Sequence, residues 1–122
     1  MTMDPIRDLE EALRITGGSR ELADELFSQF LGELPAQISE AEVLLANGAH
    51  SELRDLLHQI RGGASVCAVK PFIQALDELH QEVKFSGDFN KTMALMEMLR
   101  QRTDELFADR PDVGDGQASG SS

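Results

Sequence analysis

Apolar residues recur at steps of three and four along most of this sequence, and this pattern restricts the possible folds more than any other feature. Residues spaced in this way lie on one face of an α-helix, so the pattern predicts a series of amphipathic helices. The chain has no Trp or Tyr, and Leu, Ala, Ile and Met dominate its apolar content, which favours helix over strand. We therefore predict an all-α protein.

The first predicted helix is short, is capped by Asp4 and ends at Gly17-Gly18. The second begins after a Ser19 cap and ends at Ala46. It should bend just before Pro35, because proline removes one backbone hydrogen bond from a helix. Its apolar positions are Leu22, Leu26, Phe30 and Ile38.

Three more helices are predicted in the second half of the chain. The third has Ser51 as its cap, the fourth begins at Pro71, and the fifth runs from about Asn90 to Ala108. The apolar stripe of the third helix consists of Leu53, Leu56, Leu57, Ile60, Ala64 and Cys67. The stripe of the fourth consists of Phe72, Leu76, Leu79 and Val83. The fifth carries Met93, Met96, Leu99, Thr103, Leu106 and Phe107.

Four long amphipathic helices joined by short loops can bury their stripes together as an antiparallel up-down-up-down four-helix bundle. We predict this bundle for residues 4–109, with the short first helix lying across one end. Residues 110–122 are mostly Gly, Ser and Asp, and should form a disordered polar tail.

The formal net charge of −11 repels nucleic acid and anionic membrane surfaces. No apolar run is long enough to span a bilayer, and residues 1–5 do not have the pattern of a signal peptide. The single Cys67 cannot form an intrachain disulfide. We therefore expect a cytoplasmic protein without nucleic-acid binding or membrane insertion.

His58 lies roughly 150° around the third helix from the centre of the apolar stripe, and should therefore face solvent. Gly62 lies one turn further on the same face and, lacking a side chain, leaves room for another protein to approach the imidazole. Arg61 can reach a phosphoryl group on the ring. An exposed nucleophile beside a cation and a clear approach is suited to phosphoryl transfer.

The decapeptide centred on these residues resembles the signature of histidine phosphotransfer (HPt) domains, and the similarity extends over about residues 6–108. The signature reads Leu56-Leu57-His58-Gln59-Ile60-Arg61-Gly62-Gly63-Ala64-Ser65. The segment Cys67-Ala68-Val69 is similar to the phosphotransfer modules at the C-termini of bacterial hybrid sensor kinases, although Ala68 stands where the family often has Gly.

The resemblance implies that His58 accepts a phosphoryl group from a receiver-domain phospho-aspartate and passes it to a response regulator. The implied partners are receiver domains, and the protein is expected to be monomeric. No cofactor of its own is implied, because Mg²⁺ would belong to the receiver. No nucleotide-binding Gly-rich loop is present in the sequence, so we predict a phosphotransfer protein and not an ATP-dependent kinase.

The resemblance also assigns a possible role to His80. Family members often place Gln or an acidic residue at this position to hydrogen-bond the phosphorylatable ring. A histidine there could orient the imidazole of His58 or could be a half-buried packing residue, and both readings stay open.

Two alternative functions are compatible with the sequence. The first is a catalytically silent adaptor that binds a receiver without accepting phosphate. The second is a metal-binding bundle, because two segments have the spacing Asp-x-x-His, similar to the Glu-x-x-His pairs of di-iron proteins. These segments are Asp55-Leu56-Leu57-His58 and Asp77-Glu78-Leu79-His80.

Overall fold

The computed structural model describes residues 5–86 and 88–108, and within these residues it is all-helical. The prediction of an all-α protein is therefore confirmed. The helices are α1 (Leu9–Ile15), α2 (Arg20–Ala46), α3 (His50–Cys67), α4 (Lys70–Gln81) and α5 (Phe89–Ala108), and a π-helical turn (Glu82–Ser86) follows α4.

The four long helices bury their apolar faces in one common core. Helix α2 packs on α3, α3 on α4, α4 on α5, and α5 returns to α2, while the short α1 contacts α2 and α3. All six residues of the predicted α3 stripe are buried, as are the four predicted for the fourth helix. The central contacts of the fold therefore agree with the helical periodicity of the sequence.

Phe30 joins three helices at the centre of this core. Its ring packs edge-on against Phe72 of α4, with the ring centroids 5.6 Å apart. A Cβ atom placed on Gly63 of α3 would lie 3.2 Å from the Phe30 ring, closer than ordinary van der Waals contact. The absence of a side chain at Gly63 therefore permits the close approach of α2 and α3.

The N-terminal caps of two helices differ from the predictions. Helix α1 is capped by Asp8, whose carboxylate accepts a hydrogen bond from the Glu11 backbone N–H at 3.1 Å. The proposed cap Asp4 lies outside the described residues. Helix α3 is preceded by Ala49, which provides no side-chain cap, and Ser51 is already inside the helix. The Ser51 prediction was wrong because the N-cap position of α3 lies two residues earlier, at Ala49.

Two predicted core positions are also wrong. Leu22 is 41% exposed and Met93 is 47% exposed, whereas their neighbours Ala23 and Thr92 are buried. Spacing alone leaves the rotation of a helix uncertain by about one residue, and packing against the other helices settles it. Leu26 is only partly buried, with Phe27 taking the fully buried position beside it.

Helix α2 continues through Pro35, which is exposed, while Leu34 and Ile38 of the same helix are buried in the core. The predicted bend at this position stays a prediction. The π-helical turn after α4 was not predicted from the sequence. The predicted disordered tail at 110–122 lies outside the described residues. Among the helices that the structure describes, none has the length and apolar character of a membrane span.

Ala68 ends α3 in the left-handed conformation, with φ 57° and ψ 44°. This conformation costs a non-glycine residue about 1–2 kcal/mol, so it favours glycine at this position. Its side chain is buried with Ala12 and Ala23, and its carbonyl accepts a hydrogen bond from the Asp8 N–H at 2.9 Å. The strained residue therefore also holds α1 against α3.

The caps lead to a stability prediction. Ser19 accepts a hydrogen bond from the Leu22 N–H at 3.0 Å, whereas α3 has no side-chain cap. We expect Ser19→Ala to lower the free energy of unfolding by about 1 kcal/mol, and Ala49→Ser to raise it by about 0.5–1 kcal/mol. Urea denaturation measures both changes. Ser51→Ala is the matched control and should change stability by less than about 0.5 kcal/mol; a loss comparable to that of Ser19→Ala would restore Ser51 as the cap.

Candidate functional site

The imidazole of His58 is exposed on α3, on the side of the helix opposite the buried stripe. Leu57 and Ile60 on either side of it are almost completely buried, so the helix cannot rotate about its axis without exposing apolar surface. The predicted exposure of His58 thus follows from the packing of its neighbours. The ring is presented to solvent on a rigid element of the fold.

A shallow cavity of about 300 Å³ adjoins His58 between α3 and α4. Helix α3 contributes Leu57, His58 and Arg61, and α4 contributes Leu76, Asp77 and His80. Two leucines form the apolar floor, and four polar or charged side chains surround it. The structure therefore brings together His58, Arg61 and His80, three of the four residues selected from the sequence.

Arg61 is bound by Asp77 across the two helices. Its Nε donates to Asp77 Oδ1 at 2.7 Å, and its second terminal nitrogen donates to Asp77 Oδ2 at 3.2 Å. Hydrogen bonding to Asp77, followed by the charge of that carboxylate, raises the pKa of the Arg61 guanidinium above its ordinary value. Arg61 is therefore a cation beside His58, as predicted, but one that already has an anionic partner.

Asp77 was not selected from the sequence as part of the phosphotransfer site. The signal that could have revealed it is its spacing of three residues before His80. Residues three apart share a helix face, so if His80 faces His58, Asp77 faces the same cavity. The pairing with Arg61 nevertheless depends on how α3 and α4 pack, which spacing on one helix does not show.

His80 is half-buried beside the cavity and forms no hydrogen bond with His58 among the described residues. Burial lowers the pKa of His80, and the positive charges of Lys84 and Arg54 lower it further. The neutral imidazole is therefore the favoured form at neutral pH. Both readings of His80 find support in its placement, and its orienting role stays a prediction.

The two adjacent glycines of α3 differ in their surroundings. A Cβ atom on Gly62 would have no neighbour within 4 Å, whereas one on Gly63 would press against Phe30. Gly63 thus has a role in packing, while nothing within the described fold requires glycine at Gly62. Glycine at this position lowers helix stability by about 1 kcal/mol relative to alanine, and no contact within the described fold offsets this cost.

The other candidate residues have no comparable setting. Among the described residues, no group of three or more His, Cys, Asp and Glu side chains is arranged to hold a metal ion. Asp77, one of the carboxylates in the metal-binding alternative, is engaged by Arg61. Cys67 is buried in the core, and this burial raises the pKa of its thiol to about 11, as for an unreactive packing residue.

The lowered pKa of His80 predicts a pH dependence of stability. The unfolded chain, in which a histidine has a pKa of about 6.5, binds a proton more readily than the folded protein does. Stability should therefore be highest above that pH and should decrease as the pH falls below it. We expect His80→Gln to reduce this decrease, measured as the melting temperature between pH 8 and 5.5. Equal pH dependence in both proteins would contradict the assignment.

A family model described as the Hpt domain matches residues 25–109, which is more than half of the chain. Neither the curated proteins nor the solved structures provided a match. The matched range includes the whole cavity formed by α3 and α4. The resemblance seen in the sequence is confirmed, and the chain belongs to the family of Hpt domains.

Proposed function

We propose that this protein is a phosphorelay intermediate in which His58 accepts a phosphoryl group from a receiver domain and later donates it to a response regulator. Histidine phosphotransfer in two-component signalling is what membership of the Hpt family implies. The observation that carries the assignment to His58 is its exposed position on a helix anchored by the core, at the edge of a cavity that also contains Arg61.

The proposed transfer begins with the neutral imidazole of His58. Its Nε2 lone pair attacks the phosphorus of the receiver's aspartyl phosphate, so an N–P bond forms as the P–O bond to the aspartate breaks. The aspartate leaves as a carboxylate with the bonding electrons, and the proton on Nδ1 stays on the ring. In the second transfer a carboxylate oxygen of another receiver attacks phosphorus, and the electrons of the N–P bond return to the imidazole.

The neighbouring residues have separate proposed roles. Arg61 stabilises negative charge on the transferring phosphoryl group, because guanidinium donors bind phosphoryl oxygens well. Gly62 provides clearance for the receiver, in keeping with the open space around its Cα. His80 is proposed to orient the His58 ring, and its position in the same cavity supports this.

The helices are proposed to run in alternating directions, as an antiparallel four-helix bundle. Pairing across α3 and α4 supports this arrangement. A step forward from His58 to Arg61 on α3 corresponds to a step backward from His80 to Asp77 on α4. Reversed order is expected when two neighbouring helices point in opposite directions.

The proposed partners are receiver domains of a hybrid sensor kinase, a response regulator or both, and the protein is proposed to act as a cytoplasmic monomer without a cofactor of its own. The magnesium ion used in the transfer is assigned to the receiver. A silent adaptor is the alternative to be tested, since such a protein would bind the receiver with the same surface. The intact set of His58, Arg61 and Gly62 favours transfer over mere binding.

The first functional prediction concerns the acceptor. Replacement of His58 by Gln should abolish labelling by a phosphorylated receiver, because the amide has no nucleophilic ring nitrogen, and should leave the helical circular dichroism unchanged. His50→Gln is a matched control, since His50 is an exposed histidine on the same helix, and this variant should be labelled like the parent protein.

Acid-labile, base-stable phosphate on the parent protein identifies phosphohistidine, and loss of the label in His58→Gln alone assigns it to this residue. Undiminished labelling of His58→Gln contradicts the assignment. A receiver that binds the parent protein but never labels it would favour the silent adaptor.

The second functional prediction separates stability from transfer at Gly62. Gly62→Ala should raise the free energy of unfolding by about 1 kcal/mol, since the added methyl group meets no neighbour and alanine favours helix. It should also slow transfer by about tenfold or more, because the methyl group holds the receiver away from His58. Urea denaturation and the initial rate of labelling measure the two effects.

Gly32→Ala provides the control for this experiment. Gly32 is also an exposed glycine inside a helix, and a Cβ atom placed there meets nothing within 4 Å. This variant should gain similar stability and retain the parent rate. If Gly62→Ala transfers as fast as Gly32→Ala, Gly62 has no role in clearance.

A further inference from the structure

We propose that Asp77 is a positioning residue that competes with the phosphoryl group on His58 for the guanidinium of Arg61, and so lowers the stability of the phosphorylated state. This proposal rests on the proposed function of His58. It adds a residue that was not part of the sequence-based site and assigns it a specific effect on the transfer equilibrium.

The geometry of the ion pair is the first support. Two parallel hydrogen bonds, of 2.7 and 3.2 Å, hold the guanidinium of Arg61 against the Asp77 carboxylate. Both side chains are nearly half exposed, at 48% and 43%, so the pair is accessible and is not locked in the core. An accessible pair of this kind can exchange partners when another anion comes close.

The second support is the place where that anion would form. Arg61 lies one turn from His58 on α3, and Asp77 and His58 line the same cavity. A phosphoryl group on His58 therefore stands close to both members of the pair. If Arg61 turns to the phosphoryl oxygens, it must give up hydrogen bonds to Asp77. If it remains bound to Asp77, the negative charge of the phosphoryl group is neutralised less.

A carboxylate in this cavity lowers the stability of phosphorylated His58 in two ways. It occupies the donors of Arg61, and its own negative charge repels the phosphoryl group. Arg54 and Lys84 are cations whose charge reaches His80, and the negative charge of Asp77 opposes them there. The net effect is a phosphohistidine that is less stable and is discharged more readily to the next receiver.

The test measures the equilibrium between phosphorylated receiver and phosphorylated His58. Asp77→Asn keeps the shape of the side chain and removes its charge. We expect it to increase the equilibrium ratio of phosphorylated to unphosphorylated His58 by about two- to fivefold, the range for an exposed ion pair. Glu78→Gln removes the same charge from the next residue of α4, which is exposed and is not among the residues lining the His58 cavity, and should leave the ratio unchanged.

Coupling to Arg61 separates competition from a general structural effect. In an Arg61→Ala background, Asp77→Asn should have a smaller effect, because no guanidinium remains for the two anions to share and only the direct repulsion of the phosphoryl group by the carboxylate is left. Asp77→Glu keeps a carboxylate and should restore a ratio close to that of the parent. Melting temperatures should be similar in all these variants, since the pair is exposed.

Several results would overturn the proposal. An unchanged or decreased ratio in Asp77→Asn would do so. An increase of the same size in Glu78→Gln would also do so, because it would show that the ratio depends only on the net charge of the protein. An effect of Asp77→Asn that persists in full without Arg61 would exclude competition for the guanidinium. Failure of the parent protein to be labelled at all would overturn the proposed function and this inference together. Labelling of the unmutated protein is therefore measured first, and it separates this outcome from the others.

Discussion

The burial of six apolar side chains on α3 holds that helix at one rotation, and the site depends on this constraint. Leu53, Leu57 and Ile60 are almost completely inaccessible, so any rotation that hid His58 would bring them into water. Each such side chain contributes roughly 1.5–3 kcal/mol on burial, which far exceeds what an exposed imidazole could gain by packing. The hydrophobic core therefore holds the His58 imidazole at the surface, although the ring itself is exposed.

The close approach of α2 and α3 extends this constraint to the neighbouring helices. Gly63 allows the Phe30 ring to reach the backbone of α3, and the same ring packs on Phe72 of α4. Helices α3 and α4 are thus held by a shared aromatic contact on the core side. On the solvent side they form the cavity in which Arg61 and Asp77 meet. Of the two consecutive glycines of α3, Gly63 permits this packing, whereas Gly62 faces open space.

Charge around His58 contrasts with that of the whole protein. The chain has a formal net charge of −11, yet Arg54, Arg61 and Lys84 are near the cavity between α3 and α4. Asp77 moderates this local positive charge through its ion pair with Arg61. Such a balance suits the relay role proposed for His58, because a phosphoryl group that is bound too strongly is not passed on. The same cations, together with burial, favour the neutral form of His80.

The sequence by itself determined the helical class, the complete buried stripe of α3 and the exposure of His58, because these follow from a periodicity that one helix carries alone. It was less accurate for Leu22, Met93 and the cap of α3, where a shift of one or two residues changes little in the pattern and is settled by contacts with other helices. Only the tertiary structure decided that Arg61 is bound by Asp77 and that Gly63, unlike Gly62, is needed for packing. Both facts depend on the distance between separate helices, and no spacing within one helix contains that distance.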